Sequence, residues 1–219
     1  MQDDNQSNGH QITPDFYDEE YFMGVDHKPT KGGYFDYAEG STHVNDANDL
    51  FQVFELNGKK VLDIGCCFGY QVKHLNMLGA DAYGIDCSKF AVEKSYDQGR
   101  VQLVDVAKGL PMFPDDTFDF VYSLATLEHI HEEHIPGLLD EIKRVLKPTG
   151  ETFHYPEVGT TAHAQADKSH VTIYPLSWWV DQLERVFPGG RQYEKEDAFL
   201  SQSTSAKKWN WHVLSYKNN

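Results

Sequence analysis

The sequence predicts an alternating α/β fold, a mostly parallel seven-stranded sheet with helices on both faces and an antiparallel C-terminal strand pair. Three observations predict it. Short apolar runs alternate with amphipathic stretches from Lys59 onward. The connections between those runs are long enough for crossovers between parallel strands. The last two strand-like runs, Gln192 to Leu200 and Trp209 to Tyr216, lie close enough in sequence to pair antiparallel.

Taken in order, Met1 to Thr13 contain almost no apolar side chain, cannot offset their ordering entropy, and are expected to be a disordered tail. Residues 14–58 form a second unit, an aromatic N-terminal segment followed by a helix near Asn45 to Leu56. Its stretch DFYDEEYFMGVDHKPTKGGYFDYAEG mixes rings with glycine, as a cap over a pocket would, or as a plain extension covering core. Residues 59–219 then carry the main domain. Lys60 to Ile64 reads as a buried strand, Tyr70 to Leu78 as a helix stopped by Gly79, and Asp81 to Asp86 as a second strand. Ser88 is a good N-cap for a helix reaching about Gln98 and stopped by Gly99. Val101 to Asp105, Phe118 to Leu124 and Glu151 to Tyr155 complete five strands. Ile135 to Leu146 has helical spacing before the stop Lys147-Pro148-Thr149-Gly150, and Leu176 to Phe187 is a further helix.

At 219 residues with a formal charge of −15, the chain fits one domain with short additions, and its field repels phosphate backbones. Nucleic acid is therefore not expected as a partner, and a small-molecule acceptor is. The charge would favour a cationic ligand or serve solubility alone. The three cysteines show neither a disulfide framework nor zinc spacing, there is no long apolar run, and the N-terminus is unlike a signal peptide. A cytoplasmic location without membrane contact is the expectation, and the sequence leaves the oligomeric state open.

The chemistry centres on VLDIGCCFGY, in which Gly65 and Gly69 stand in a turn between a strand and a helix. Such turns lie where open parallel sheets bind ligands, because glycine lets backbone approach closely and the helix start offers free N–H groups. Asp86, ending the second strand, is placed to accept hydrogen bonds from ribose hydroxyls. A dinucleotide fingerprint would need glycines at positions held by Cys67 and Tyr70, and the P-loop Lys and Ser/Thr pair is absent.

The segment resembles the D-x-G-x-x-x-G first motif of the class I, Rossmann-like S-adenosylmethionine-dependent methyltransferases. LPMFPDDTFDFVYSLATLEHI followed by RVLKPTG resembles their fourth and fifth motifs. The resemblance spans about Lys59 to Pro156. It implies S-adenosylmethionine as cofactor and S-adenosylhomocysteine as product. It also implies cofactor contacts from Asp63, Gly65, Cys66, Cys67 and Gly69 in the first motif, and from Asp86 and Cys87 after the second strand. Asp105 and Val106 would meet the adenine edge, with Leu124 and Tyr37 completing the set. Cys67 departs from the middle glycine common in the motif, so the turn must tolerate a Cβ. Cys66 and Cys67 read as redox sensors or as small packing residues beside a ligand.

The resemblance puts His129 near the transferred methyl, with His170 in a segment that in the family helps build the acceptor pocket. Both are candidates for a base acting on a hydroxyl acceptor, His129 first. Each has a structural alternative: Glu128 and His129 hydrogen-bonding their loop, His170 capping at the surface. His129, His131 and His134 with Glu132 and Glu133 have i to i+3 spacing rather than the i to i+4 of a zinc-protease helix, so no metal site is assigned. Tyr17, Tyr21, Tyr34 and Tyr37 read as a lid whose ring faces meet a sulfonium, or as packing. Tyr174, Trp178 and Trp179 read as a wall of the acceptor pocket or as a helix anchor. Tyr34 and Tyr37 with the D-x-x-H element Asp167 to His170 resemble bacterial and viral methyltransferases of surface-glycan sugars, which implies O-methylation of a sugar or sugar nucleotide. N- or C-methylation of another metabolite, and cofactor binding without turnover, remain as alternatives.

Overall fold

The computed structural model describes residues 12–26, 28, 30–31, 37–158, 167–189, 191–193 and 213–218. Seven strands form one sheet: β1 (Lys60–Ile64), β2 (Asp81–Asp86), β3 (Val101–Leu103), β4 (Phe118–Leu124), β5 (Leu146–Tyr155), β6 (Arg191–Tyr193) and β7 (Val213–Lys217), in the order β3-β2-β1-β4-β5-β7-β6. The first five run parallel, and β7 pairs antiparallel with both β5 and β6. The order reverses between β1 and β4, which leaves a crevice beyond their carboxyl ends. The outer parts of the two C-terminal strand runs and most of the polar tail, residues 1–11, lie outside the described residues.

Among the described residues six α-helices accompany the strands: α1 (Glu19–Met23), α2 (Ser41–Val53), α3 (Tyr70–Leu78), α4 (Lys89–Glu93), α5 (Ile135–Val145) and α6 (Leu176–Val186). The period-2 alternation of the central strands sorts their side chains into two cores. Leu62, Ile64, Phe118 and Val121 pack with Ile142 of α5 and with Trp179 and Leu183 of α6. On the opposite face, Val61, Phe120, Tyr122 and Phe153 pack with Leu50 and Phe54 of the α2 region and Leu75 of α3. In α5 the buried positions Ile135, Leu138, Leu139, Ile142 and Val145 follow helical spacing and present one apolar stripe to the sheet. No helix among the described residues is long and apolar enough to cross a membrane.

Several boundaries differ from the sequence expectation, among them the ends of β3 at Leu103 instead of Asp105 and of α2 at Val53 instead of Leu56, and three have a clear local reason. Helix α4 starts after its Ser88 cap, whose Oγ accepts from Ala91 N–H at 3.0 Å, but ends at Glu93 instead of Gln98. Ser95 Oγ takes the Asp97 N–H and Phe68 O takes the Tyr96 N–H, so local partners outcompete the next helical turn. Strand β5 begins at Leu146, ahead of the expected stop, because a register shift between Phe118 and Phe120 absorbs the Lys147-Pro148-Thr149-Gly150 segment. Asn218 Nδ2 donates to the Leu146 and Lys147 carbonyls and holds that shift in place. Helix α2 starts at Ser41 instead of Asn45 because Gly40 N–H donates to His43 Nδ1 and His43 N–H to Gly40 O, both at 3.1 Å.

One buried polar group carries a pH prediction. His154 in β5 is fully buried. Thr152 Oγ1 donates to Val121 O, so at 2.7 Å it accepts from His154 Nε2–H, and Nδ1 accepts from Ser123 Oγ–H at 2.8 Å. Burial holds the imidazole down to about 3, from an ordinary 6.5. Below pH 6.5 the unfolded chain therefore binds a proton that the folded chain refuses, and stability falls as pH drops toward 3. The loss from this group by pH 4.5 is on the order of 2 to 3 kcal/mol. Urea unfolding at pH 7 and 4.5 should show His154→Gln losing that much less stability on acidification than the parent. Equal losses refute the assignment.

Candidate active site

A cavity of about 450 Å³ opens at the carboxyl ends of β1, β2, β4 and β5, within the size range of small-molecule sites. Its floor is the turn after β1. Gly65 and Cys66 donate their N–H groups to Ile85 O at 2.8 and 3.1 Å, which ties the turn to β2. Gly65 has φ +78°, and a Cβ there would lie 2.3 Å from Thr126 Cγ2. Glycine is thus required twice, for its backbone angle and for close approach to the turn after β4. Cys67 adopts φ +51°, so the turn does tolerate a Cβ, at a cost of about 1 to 2 kcal/mol.

Asp86 sits beside this turn. Its Oδ2 accepts Cys67 N–H at 2.8 Å and its Oδ1 accepts Ser88 N–H at 2.7 Å. Burial raises its pKa against the pull of these backbone donors. Each oxygen can accept more than one hydrogen bond, so a pair of ligand hydroxyls fits this carboxylate. Asp63 also borders the cavity, and burial pushes it up to about 7. Cys66, Cys67, Cys87, Val106, Leu124 and Tyr37 all line the wall.

Two expected contacts do not reach the wall. Gly69 caps α3 at φ +73° and packs toward Val101 and Ser95. Asp105 accepts Ala107 N–H at 3.2 Å and pairs with Lys108 at 3.0 Å. Burial pushes Cys87 up to about 12 and the other two thiols well above their ordinary value. The thiolates needed for redox chemistry are suppressed, which favours packing.

The other end of the cavity is built by two segments that follow β4 and β5. Ala125, at φ +47°, donates its N–H to Tyr155 O, and the short helical turn Leu127–His129 follows. Glu128 O accepts the Val171 and Thr172 N–H groups at 2.9 and 3.0 Å, and Thr172 Oγ1 donates to Ile130 O. These bonds pin the 167–172 segment against the turn. Consequently His129 and His170 meet, with ring centroids 4.6 Å apart in an edge-on arrangement. Burial and the neighbouring His170 hold His129 well below its ordinary pKa. His170 Nε2 is 4.0 Å from Asp167 Oδ2, and Asp167 Oδ1 accepts from Ser169 N–H and Oγ–H. Both histidines, Asp167, Glu157 and Asp46 line the cavity.

The aromatic segment closes a third side. Tyr17, Tyr21 and Tyr37 line the cavity, and Tyr34 lies outside the described residues. Ser88 Oγ donates to Tyr17 O at 2.5 Å, Tyr37 N–H donates to Phe22 O at 3.1 Å, and Phe22 and Tyr37 pack on Phe68. Tyr21 Oη and Ser169 Oγ are 3.4 Å apart, linking this segment to the one after β5.

The tryptophan pair has the structural role. Trp179 is fully buried in the α5–α6 core, Trp178 packs against that core, Tyr174 stacks on Trp178, and none of the three borders the cavity. Asp46, Gln71, Thr126, Tyr155 and Glu157 line it without having been singled out in the sequence. Thr126 falls inside the run that resembles the fourth motif, while the other four belong to no local motif and only the topology of the sheet brings them to the site.

Comparison with known proteins agrees with this architecture. A family model described as "Methyltransferase domain" matches residues 62–153. Sterol 24-C-methyltransferase of Yarrowia lipolytica is 33% identical over 124 residues, which are 53% of this chain and 32% of that protein. The mitochondrial arginine-hydroxylase NDUFAF5 of Rattus norvegicus is 32% identical over 126 residues, 56% of this chain and 35% of that one. The chain thus spans about a third of the length of these relatives. The crystal structure of a SAM dependent methyltransferase from Archaeoglobus fulgidus aligns with a TM-score of 0.62 at 18% identity, covering 81% of this chain and 95% of that one, and shows the same fold.

Proposed function

We propose that the chain acts as a class I S-adenosylmethionine-dependent methyltransferase and methylates a hydroxyl of a small polar acceptor, with sugars and sugar nucleotides as the leading class. The observation that carries this reading is the polarity of the acceptor end, where His129, His170, Asp167 and Glu157 share one wall. A hydroxylated ligand can exchange hydrogen bonds with such groups, whereas a purely apolar one offers them none.

The cavity fits the cofactor. Asp86 has acceptor capacity that would take the ribose hydroxyls, Val106 and Cys87 would lie along the adenine, and Asp63, Gly65, Cys66, Cys67 and Leu124 would border the remainder. When bound, S-adenosylmethionine supplies an activated methyl carbon on a cationic sulfur. The task of the chain is to hold the acceptor oxygen in line and to exclude water. Tyr17, Tyr21 and Tyr37 exclude water and offer ring faces to a cation. His129 and His170 act on the acceptor hydroxyl and its proton.

Asp86→Ala should weaken S-adenosylmethionine and S-adenosylhomocysteine alike. Losing a charged acceptor costs on the order of 1.5 to 3 kcal/mol, or about ten- to a hundredfold in affinity. Calorimetric titration of both ligands checks this, and unchanged affinities would remove Asp86 from the site.

C-methylation is the second reading, favoured by the name of the Yarrowia relative. Incubation of the full chain with methyl-labelled cofactor and separate pools of sugar nucleotides and sterols distinguishes the two. Label in the sugar pool is the expected result. Label in the sterol pool overturns O-methylation, and cofactor binding without transfer to any pool overturns catalysis.

A further inference from the structure

We propose that Glu128, His129 and His170 form a binding site for a divalent first-row transition-metal cation at the acceptor end of the cavity. One ligand atom from each of the three lies within 4.8 Å of the others. Ligand atoms about 2.0 to 2.2 Å from a common ion stand about 3 to 3.5 Å apart, so modest side-chain rotations close the site.

The local hydrogen bonds prepare the donors for this. Glu128 is 1% exposed, and its carboxylate oxygens have no side-chain partner and no well-formed hydrogen bond, with only the backbone N–H groups of Glu128 and Glu157 beside them. A buried polar group without a well-formed hydrogen bond is costly, and a cation gives this one a partner. The tautomer of His129 follows from its neighbours. Ser169 Oγ donates its hydrogen to Asp167 Oδ1 at 2.6 Å, so at 3.0 Å it accepts from His129 Nδ1–H, which also lies 3.3 Å from Ser169 O. The Nε2 lone pair is therefore the one available for coordination, with Nδ1–H anchored as in metal sites whose histidines are held by an outer oxygen. Asp167, beside His170, is the corresponding outer carboxylate for the second imidazole. Glu128, His129 and the 167–172 segment are fixed to one another by the backbone bonds at Glu128 O, so the donor set sits on a braced support.

Two imidazoles and one carboxylate suit Zn²⁺, Mn²⁺ or Fe²⁺ and leave coordination positions open. Both histidines border the cavity, so those positions face it. A hydroxyl oxygen placed on the cation releases its proton to water more readily. This role rests on the proposed acceptor chemistry, but the site itself does not.

The test uses the full chain, stripped with a chelator and titrated with ZnCl₂ by calorimetry and with Co²⁺ by visible absorption, without cofactor or acceptor. One equivalent should bind with a dissociation constant near or below about 1 μM. Glu128→Gln, His129→Gln and His170→Gln should each weaken it at least about tenfold. So should Ser169→Ala, which keeps all three ligands and removes only an outer oxygen. His134→Gln, outside the cluster, should leave the constant unchanged. Circular dichroism and retained S-adenosylmethionine affinity show which variants are folded. Failure of the parent chain to bind an equivalent, or unchanged affinity in the folded ligand variants, overturns the site. Metal binding that survives with no methyl transfer to any acceptor overturns the functional reading alone.

Discussion

Gly65→Val should abolish S-adenosylmethionine binding, lowering affinity at least about a thousandfold, on the order of 4 kcal/mol. Two causes act together. The residue sits at φ +78°, a conformation that costs a β-branched side chain most. Its Cβ would also lie within 3 Å of three Thr126 atoms, so the turns after β1 and β4 must separate where the strand order reverses. That separation displaces the backbone around the cofactor, while the two cores on either side of the sheet stay intact. Calorimetry with circular dichroism as the folding control checks the result. Gly65→Ala combined with Thr126→Gly should regain part of the affinity lost in Gly65→Ala alone, because the clash is relieved and the backbone strain is not. Full affinity in Gly65→Val would show that this turn is not part of the cradle.

Deletion through Gly40 should remove turnover, by at least about two orders of magnitude, as expected when water gains access to a closed site. Deletion of residues 1–13 should leave cofactor binding unchanged. The contrast rests on composition and contact. The first residues are polar, whereas Tyr21 and Phe22 are buried at 3% and 5% exposure, and Tyr17, Tyr21 and Tyr37 line the cavity. Labelled methyl transfer by both truncated proteins measures the difference. Full turnover in the longer truncation would sink the lid.

Those elements whose signals are local were legible in the sequence. β1, α3, β2 and β4 match their expected bounds, because an apolar run, a glycine stop or an N-cap marks each end. The boundaries that moved depend on distant or competing partners. Asn218 reaches back to the start of β5, and Ser95 diverts the helix after β2. The same division holds in the site. Asp86 and the glycine turn follow from one strand-turn-helix pattern. The grouping of Glu128 and His129 with His170, some forty positions further on, has no sequence signature, since it depends on hydrogen bonds made only after β4 and β5 lie side by side. The spacing within LEHIHEEH assigned no metal site to His129, His131 and His134, and of these only His129 belongs to the cluster.

The wall of the cavity has two origins. Asp63, Gly65 and Asp86 fall inside the stretch matched by the family model, residues 62–153. Tyr17, Tyr21, Tyr37, Glu157, Asp167 and His170 fall outside it and meet the first group only in three dimensions. A substitution in the second group can therefore reshape the chamber without touching the stretch that the family model matches.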